Sequence, residues 1–91
     1  MGAMCRNIRP LNNFEPPTTR SEIQAAALQY VRKVGGATQP STANAQAYAG
    51  AVAAITRATE ELLGSLVTTA PPKNREVEAA KARARAQARY A

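Results

Sequence analysis

Residues 19–36 read TRSEIQAAALQYVRKVGG, a stretch that contains both the start signal and the stop signal of a helix. Thr19 and Glu22 have the spacing of a capping box, in which each side chain bonds the backbone N–H of the other residue. Gly35-Gly36 marks the end, because glycine readily adopts the left-handed conformation that terminates helices. The apolar residues between these signals recur at helical spacing; they are Ile23, Ala26, Ala27, Tyr30, Val31 and Val34. The stretch therefore predicts a first helix over residues 19–34.

A second helix is predicted over residues 42–67, after a turn at Gln39-Pro40-Ser41 in which Ser41 is the expected N-cap. Its apolar positions alternate four and three apart, as in the seam of two antiparallel helices; they are Tyr48, Val52, Ile55, Thr59, Leu62 and Leu66. Tyr30 and Tyr48 lie on the facing stripes, so we expect both in the core. The two helices are predicted to form an antiparallel hairpin.

Prolines shape the segments on either side of this hairpin. Pro10, Pro16 and Pro17 predict an extended arm over residues 4–18, and Pro71-Pro72 predicts an extended linker. In the arm an apolar residue recurs at every third position, so one edge is expected to lie on the helical core; these residues are Ile8, Leu11 and Phe14.

A basic third helix is predicted over residues 74–90, with Asn74 as its cap. Its apolar stripe consists of Val77 and alanines, so it either docks weakly on the hairpin or extends outward. We therefore predict an all-α fold in one small domain, residues 4–91: an extended arm, an antiparallel helical hairpin, a Pro-Pro linker and the basic helix. Met1-Gly2-Ala3 is interpreted as a cloning remnant.

The composition excludes several kinds of site. The 91 residues include one cysteine, no histidine and no aspartate. A lone thiol cannot form an intramolecular disulfide, and without histidine it cannot join a Cys/His zinc site or a Cys–His nucleophile pair. The sequence also contains no glycine-rich phosphate loop and no metal-ligand spacing. We therefore expect a protein that is not an enzyme and that uses no metal or cofactor.

Charge and hydropathy bound the partners. Twelve Lys and Arg residues against six Glu give a formal net charge of +6, which permits binding to nucleic acid, anionic lipid or an acidic protein. No apolar run approaches the roughly 18 residues of a membrane span, and no secretory signal is evident. The lone cysteine fits a reducing compartment. These features predict a cytoplasmic protein without membrane contact.

Several blocks of the sequence resemble a known family. They are MCRNIR (residues 4–9), NFEPP (13–17), AAALQYVRKV (25–34) and LVTTAPPKNREVEAAKARAR (66–85). In these blocks the chain is similar to small bacterial proteins of the domain-of-unknown-function family 2277. The resemblance implies a small cytoplasmic bacterial protein and no catalytic residue. In that family the cysteine directly follows the initiator methionine, in keeping with the interpretation of Met1-Gly2-Ala3.

Cys5 is the candidate functional thiol. Removal of Met4 would leave Cys5 at the N-terminus, where its amine and thiol together can chelate a soft metal or attack a thioester. Arg6 and Arg9 would favour the thiolate. The alternative is that Cys5 is a small, partly buried apolar residue that anchors the arm.

Basic side chains concentrate near both ends of the chain. The candidate anion- or phosphate-binding residues are Arg6, Arg9, Lys73, Arg75, Lys81, Arg85 and Arg89. The last three share a helical face that can follow phosphates. Interleaved aromatic residues, which stack on single strands, are absent apart from Tyr90. The alternative is a solvated helix supported by a Glu78–Lys81 pair.

The sequence favours a non-enzymatic protein-interaction module that self-associates. Burial of one large apolar side chain contributes about 1.5–3 kcal/mol, such residues are few here, and ordering the chain costs on the order of 100 kcal/mol. A second copy would add buried surface, so a homo-oligomer is expected. An acidic protein is another possible partner. The alternative function is nucleic-acid binding through the basic termini, and the third is a thiol-dependent activity or metal binding at Cys5.

Overall fold

The computed structural model describes residues 8–90 and confirms the predicted all-α architecture. The interpretations of Met1-Gly2-Ala3, Cys5 and Arg6 therefore lie outside the described residues. The helices are α1 (Arg20–Gly35), α2 (Ala45–Ser65), preceded by a 3-10 helix (Thr42–Asn44), and α3 (Arg75–Tyr90). A two-stranded parallel sheet adds β1 (Phe14–Glu15) and β2 (Lys73–Asn74).

Helix α1 begins and ends as the sequence predicts. The Thr19 N–H donates to Glu22 Oε1 over 3.0 Å, and the Glu22 N–H donates to Thr19 Oγ1 over 3.3 Å, which completes the capping box. At the other end Gly36 has φ 81°, and its N–H donates to the Arg32 carbonyl over 3.0 Å. Local signals alone account for this helix.

The second helix begins at the predicted position, Thr42, but with a 3-10 turn, and it ends two residues before the predicted Val67. Its first residues form the 3-10 helix, and the Ser41 side chain makes no capping hydrogen bond. The α-helix ends at Ser65, because Leu66 is already extended with φ −70° and ψ 136°. The β-branched residues that follow (67–69) and the proline at position 71 favour extended backbone.

The core of the hairpin is a narrow line of small and branched residues. Ile23, Ala27 and Val31 are spaced four apart on α1 and are buried, and Thr56 of α2 faces them with only 1% of its surface exposed. The predicted core position of Tyr30 is wrong: 51% of its surface is exposed. Tyr30 precedes Val31 by one residue, so it lies about 100° from that residue around the helix.

Tyr48 packs at the end of the hairpin where the turn joins α1 to α2. It is half-buried, and its hydroxyl oxygen accepts a hydrogen bond from the Ala37 N–H over 3.2 Å. The same hydroxyl lies against Gly35, where an added Cβ would overlap it. A side chain at position 35 would therefore have to displace the Tyr48 ring from its place at the turn between α1 and α2.

The arm and the linker are joined by the small sheet, which the sequence does not predict. Phe14 is opposite Lys73 in the parallel register, and the Lys73 N–H donates to the Asn13 carbonyl over 2.8 Å. Asn13 adopts a left-handed conformation with φ 63°, and its amide nitrogen donates to the carbonyls of Ala70 and Pro71 over 3.2 and 3.1 Å. Polar contacts therefore hold the two segments together.

Helix α3 extends away from the hairpin. Asn74 Oδ1 accepts from the Val77 N–H over 3.0 Å, which confirms the predicted cap. Beyond Glu78, every described side chain of α3 is exposed. The Lys81–Glu78 pair expected for a solvated helix is present, with Nζ and Oε2 3.4 Å apart. Of the two alternatives for α3, docking or extension, the structure has extension.

Thr56 provides a test of the hairpin core. Its Oγ1 is buried and has no hydrogen-bond partner in the protein. An unsatisfied buried hydroxyl is unfavourable by about 1–3 kcal/mol, so Thr56→Val should raise the free energy of unfolding by about that amount in urea denaturation. The matched control is Thr59→Val, because the Thr59 hydroxyl donates to the Ile55 carbonyl over 2.7 Å. The control should be neutral or destabilising, and equal effects of the two variants would contradict this account.

Candidate functional site

Three distant parts of the chain meet at one carboxylate, that of Glu22. The Arg75 guanidinium binds it in a bidentate pair, with Nη1–Oε2 and Nη2–Oε1 distances of 2.9 and 2.7 Å. Arg9 Nη2 lies 3.1 Å from Oε2. Glu22 also closes the α1 capping box with Thr19. We call these four residues the Glu22 junction.

Arg75 connects the linker to the arm as well as to α1. Its Nε donates to the Pro16 carbonyl over 2.6 Å, so all three guanidinium nitrogens are hydrogen-bonded. The Phe14 ring lies beside it, with its centroid 5.9 Å from the guanidinium carbon and 5.4 Å from the Lys73 amine. Cations at these distances are attracted to the ring face. Two cations and one aromatic ring therefore reinforce the contact between β1 and β2.

The electrostatics keep this carboxylate ionised. Hydrogen bonds from Arg75 and then from the Thr19 N–H lower the pKa of Glu22 from 4.5 to about 2, although burial acts in the opposite direction. Glu22 in turn raises the pKa of Arg75. A carboxylate with such a pKa does not exchange protons near neutral pH. Glu22 therefore stays ionised and ion-paired at neutral pH and does not act as a proton-transfer group.

The predicted basic residues separate into two groups. Arg9, Lys73 and Arg75 do come together, at and beside the Glu22 junction. The second group lies along α3, away from that junction; its members are Lys81, Arg85 and Arg89. Arg6 lies outside the described residues. Because Glu22 and Pro16 occupy the donors of Arg75, the free basic surface consists chiefly of the α3 group.

No metal-ligating cluster of three or more Cys, Asp or Glu side chains occurs among residues 8–90. Cys5, the candidate thiol, precedes the described residues, so the hypothesis for its role stays a prediction. Within the described part of the chain, no helix is long and apolar enough to cross a membrane.

A cleft of about 440 Å³ lies beside the junction, between the arm, the end of α2 and the linker. Leu11, Leu62 and Leu63 form its apolar wall, and Arg9 and Lys73 lie at its edge. Arg9 is already engaged by Glu22. The cleft therefore offers an apolar surface beside Lys73, whose amine lies over the Phe14 ring and has no ion pair with a described residue.

Sequence reasoning missed the Glu22 junction because its partners are far apart. Arg75 follows Glu22 by 53 positions. The capping box assigns Glu22 to α1 alone, and nothing in the local sequence indicates that its second oxygen also serves the arm and the linker. The sequence offers one signal for such a junction. It has six acidic residues and twelve basic ones, so an acid is expected to pair with more than one cation.

Glu22→Gln tests the junction, because glutamine keeps the capping box but cannot form the ion pairs. The pKa of Glu22 is lower in the folded state, so its stabilising contribution is present above pH 4.5 and is lost as the pH falls toward about 2. The free energy of unfolding of the wild type should fall across that window. The corresponding loss in Glu22→Gln should be smaller.

Amide exchange gives a second measurement on the same variant. Exchange of the Lys73 N–H, which donates to Asn13, should accelerate in Glu22→Gln because the arm and the linker open together. Glu61→Gln is the control, since Glu61 is exposed on α2. If the Lys73 N–H exchanges at the same rate in Glu22→Gln as in the wild type, Glu22 does not hold the arm and the linker together.

Comparison with known families identifies the chain at the level of a family. The family model described as "Uncharacterized conserved protein (DUF2277)" matches residues 4–81. The match covers most of the chain and confirms the resemblance of the sequence blocks, so the chain belongs to this family. Comparison with curated proteins finds no match, and comparison with solved structures finds none.

Proposed function

We propose that this member of the DUF2277 family is a non-enzymatic interaction module that works as a homodimer. The observation that carries the proposal is one apolar flank of the helical hairpin, whose side chains stay partly or largely exposed in one chain. We call this flank the open face. It consists of Ala26, Tyr30 and Val34 from α1 with Ala51, Ile55 and Leu62 from α2.

Helical phase groups the open-face residues of each helix on one face of that helix. A cleft of about 430 Å³ lies toward Gln24 and Leu28 of α1 and also reaches Tyr48 and Val52 of α2. Tyr48 shares a helical face with Ile55 and Leu62, because the three residues lie seven apart. In an antiparallel pair, residues displaced in the same rotational sense from the two seams lie on the same side. On α1, the open-face residues Ala26 and Tyr30 are displaced from the buried line in the sense opposite to Gln24 and Leu28.

The exposure of this face is high for apolar side chains. Tyr30 is 51% exposed, Leu62 is 54% exposed and Val34 is 69% exposed. Single exposed apolar residues are ordinary on protein surfaces, but a contiguous apolar flank is characteristic of an interface. The two helices therefore present a surface that favours a protein partner.

The dimensions of the chain also favour a partner. The chain exposes 6973 Å² and has a radius of gyration of 15.5 Å. A compact monomer of 9.6 kDa exposes about 5,100 Å² and has a radius of about 12 Å. The excess area includes the surface of α3, whose described side chains after Glu78 are all exposed. It exceeds the area of about 800 Å² that each partner buries in a standard interface.

A second hairpin is the partner that fits this face best. The open-face residues are uncharged, so α3 of another copy, with its row of cations, would find no acidic partner there. Two of the three acids of the hairpin helices are already engaged, Glu22 by Arg75 and Glu60 by Arg20, and the third, Glu61, is exposed. Two open faces related by a twofold axis would instead form a four-helix bundle, which is a common way for amphipathic hairpins to bury apolar surface.

Sedimentation equilibrium tests the dimer. We expect the wild type to sediment as a dimer at micromolar concentration and the double variant Tyr30→Glu/Leu62→Glu to sediment as a monomer. Both side chains are half exposed in one chain, so the substitutions should leave the fold of each copy in place. A buried pair of carboxylates would prevent association.

Val67→Glu is the matched control. Val67 is 94% exposed, but it lies in the linker rather than on the open face. This variant should remain dimeric. A wild type that stays monomeric at high concentration would refute the proposal, and so would a Val67→Glu variant that dissociates as fully as the double variant. Far-ultraviolet circular dichroism of each variant verifies that the helices are retained.

A further inference from the structure

The second half of α3 carries an unbalanced row of cations. From residue 79 to residue 89 every side chain is exposed, and this stretch contains four basic residues and no acid. They are Lys81, Arg83, Arg85 and Arg89. Lys81 has a weak partner in Glu78, at 3.4 Å, whereas Arg85 and Arg89 have no ion pair with any described residue. This surface is therefore available to an anion.

Three of the four cations form a row that winds slowly around one side of the helix, by about 40° per step. Lys81, Arg85 and Arg89 follow each other at intervals of four residues, so they lie on one face with about 6 Å of axial rise between neighbours. Arg83 lies on another face of the helix. A row of regularly spaced cations on a rigid rod complements a polyanion whose charges repeat regularly, such as a nucleic-acid backbone.

The residues beside this row have small side chains, so the helix is narrow on that flank. Ala80, Ala84 and Ala88 lie next to the cations around the helix, and no large apolar side chain occurs from residue 78 to residue 89. The major groove of B-form DNA is about 12 Å wide and admits an α-helix. A helix whose flank consists of alanines can enter the groove, while long basic side chains on the adjacent face reach the phosphates.

The same composition disfavours two other partners. A helix that binds a membrane surface needs bulky apolar residues opposite its cations, and α3 has only alanines after Val77. A helix that binds a protein groove is anchored by large apolar or aromatic side chains, which residues 78–89 also lack. Duplex nucleic acid needs no such anchor, because phosphate contacts supply most of the affinity.

The Glu22 junction holds the base of this helix. Arg75 is the first residue of α3, and its guanidinium is fixed to Glu22 and to the Pro16 carbonyl. Asn74 caps the helix at the same place. The helix thus starts from a fastened point and projects its cations away from the hairpin.

We infer that α3 is a DNA-binding helix that enters the major groove of a duplex and binds its phosphates through Lys81, Arg85 and Arg89. The contact is to the backbone and is independent of base sequence. This inference goes beyond the proposed dimer and does not rest on it, because the three residues belong to one helix of one chain.

Salt-dependent binding to a short, fluorescently labelled DNA duplex of mixed sequence tests the inference. The measurement is fluorescence anisotropy over a series of salt concentrations. If each chain neutralises three phosphates through this row, Lys81→Gln/Arg85→Gln/Arg89→Gln should reduce the slope of log K against log salt by about 2.7 per chain. The matched control, Arg32→Gln/Lys33→Gln/Arg57→Gln, removes the same charge from the hairpin and should leave the slope nearly unchanged. Circular dichroism verifies that α3 stays helical in both variants.

Three outcomes would overturn the inference. The first is the absence of DNA binding by the wild type at low salt, and the second is an equal loss of slope in the two triple variants. The third is binding to anionic phosphatidylserine vesicles or to an acidic polypeptide with no binding to duplex DNA. Oligomeric state is measured on the same samples, so failure of the dimer and failure of the DNA contact can be told apart.

Discussion

The structure depends on one ionised carboxylate, that of Glu22. It completes the cap of α1, receives the bidentate Arg75 from the start of α3 and receives Arg9 from the arm. Each of these contacts stabilises the charged form, which lowers the pKa of Glu22 to about 2. Removal of this one charge would leave two guanidinium groups without their partner and would release both segments from α1.

Such a fastening is needed because the core is small. In the described residues the buried side chains are only Ile23, Ala27, Val31 and Thr56. A core of this size cannot also bury the arm and the linker. These segments are held instead by the Asn13 amide, the parallel backbone pairing and the Glu22 junction. Polar contacts at one end of the hairpin therefore hold the arm and the linker, which a larger domain would hold by burying apolar side chains.

The sequence predicts what is local and misses what is distant. The cap at Thr19, the end at Gly36 and the cap at Asn74 follow from signals within four residues, and all three are present. The second helix ends earlier than predicted because its last apolar residues continue the helical pattern although β-branched residues and proline follow. Tyr30 was misplaced because apolar periodicity cannot distinguish a core line from a neighbouring flank when only two helices pack.

The row of cations on α3 and the open face also differ in how far the sequence predicts them. The row of cations on α3 is visible in the sequence, because spacing of four residues defines a helical face without reference to any other segment. The sequence does not show that this row of cations is free of ion pairs with the rest of the chain. That isolation depends on Glu22 binding Arg75 and Arg9, and on α3 projecting away from the hairpin. The open face likewise becomes visible only from the exposures in the folded chain, such as those of Tyr30 and Leu62.

The two proposed surfaces are compatible because the Glu22 junction separates them. The open face belongs to the hairpin, whereas the basic row begins six residues beyond Arg75 on a helix that leaves the hairpin. A dimer formed through two open faces would keep both α3 helices available and would double the number of cations in one particle. Two helices joined in this way would engage one duplex with a higher effective concentration than separate chains. Self-association and phosphate binding would then reinforce each other without any contact between their surfaces.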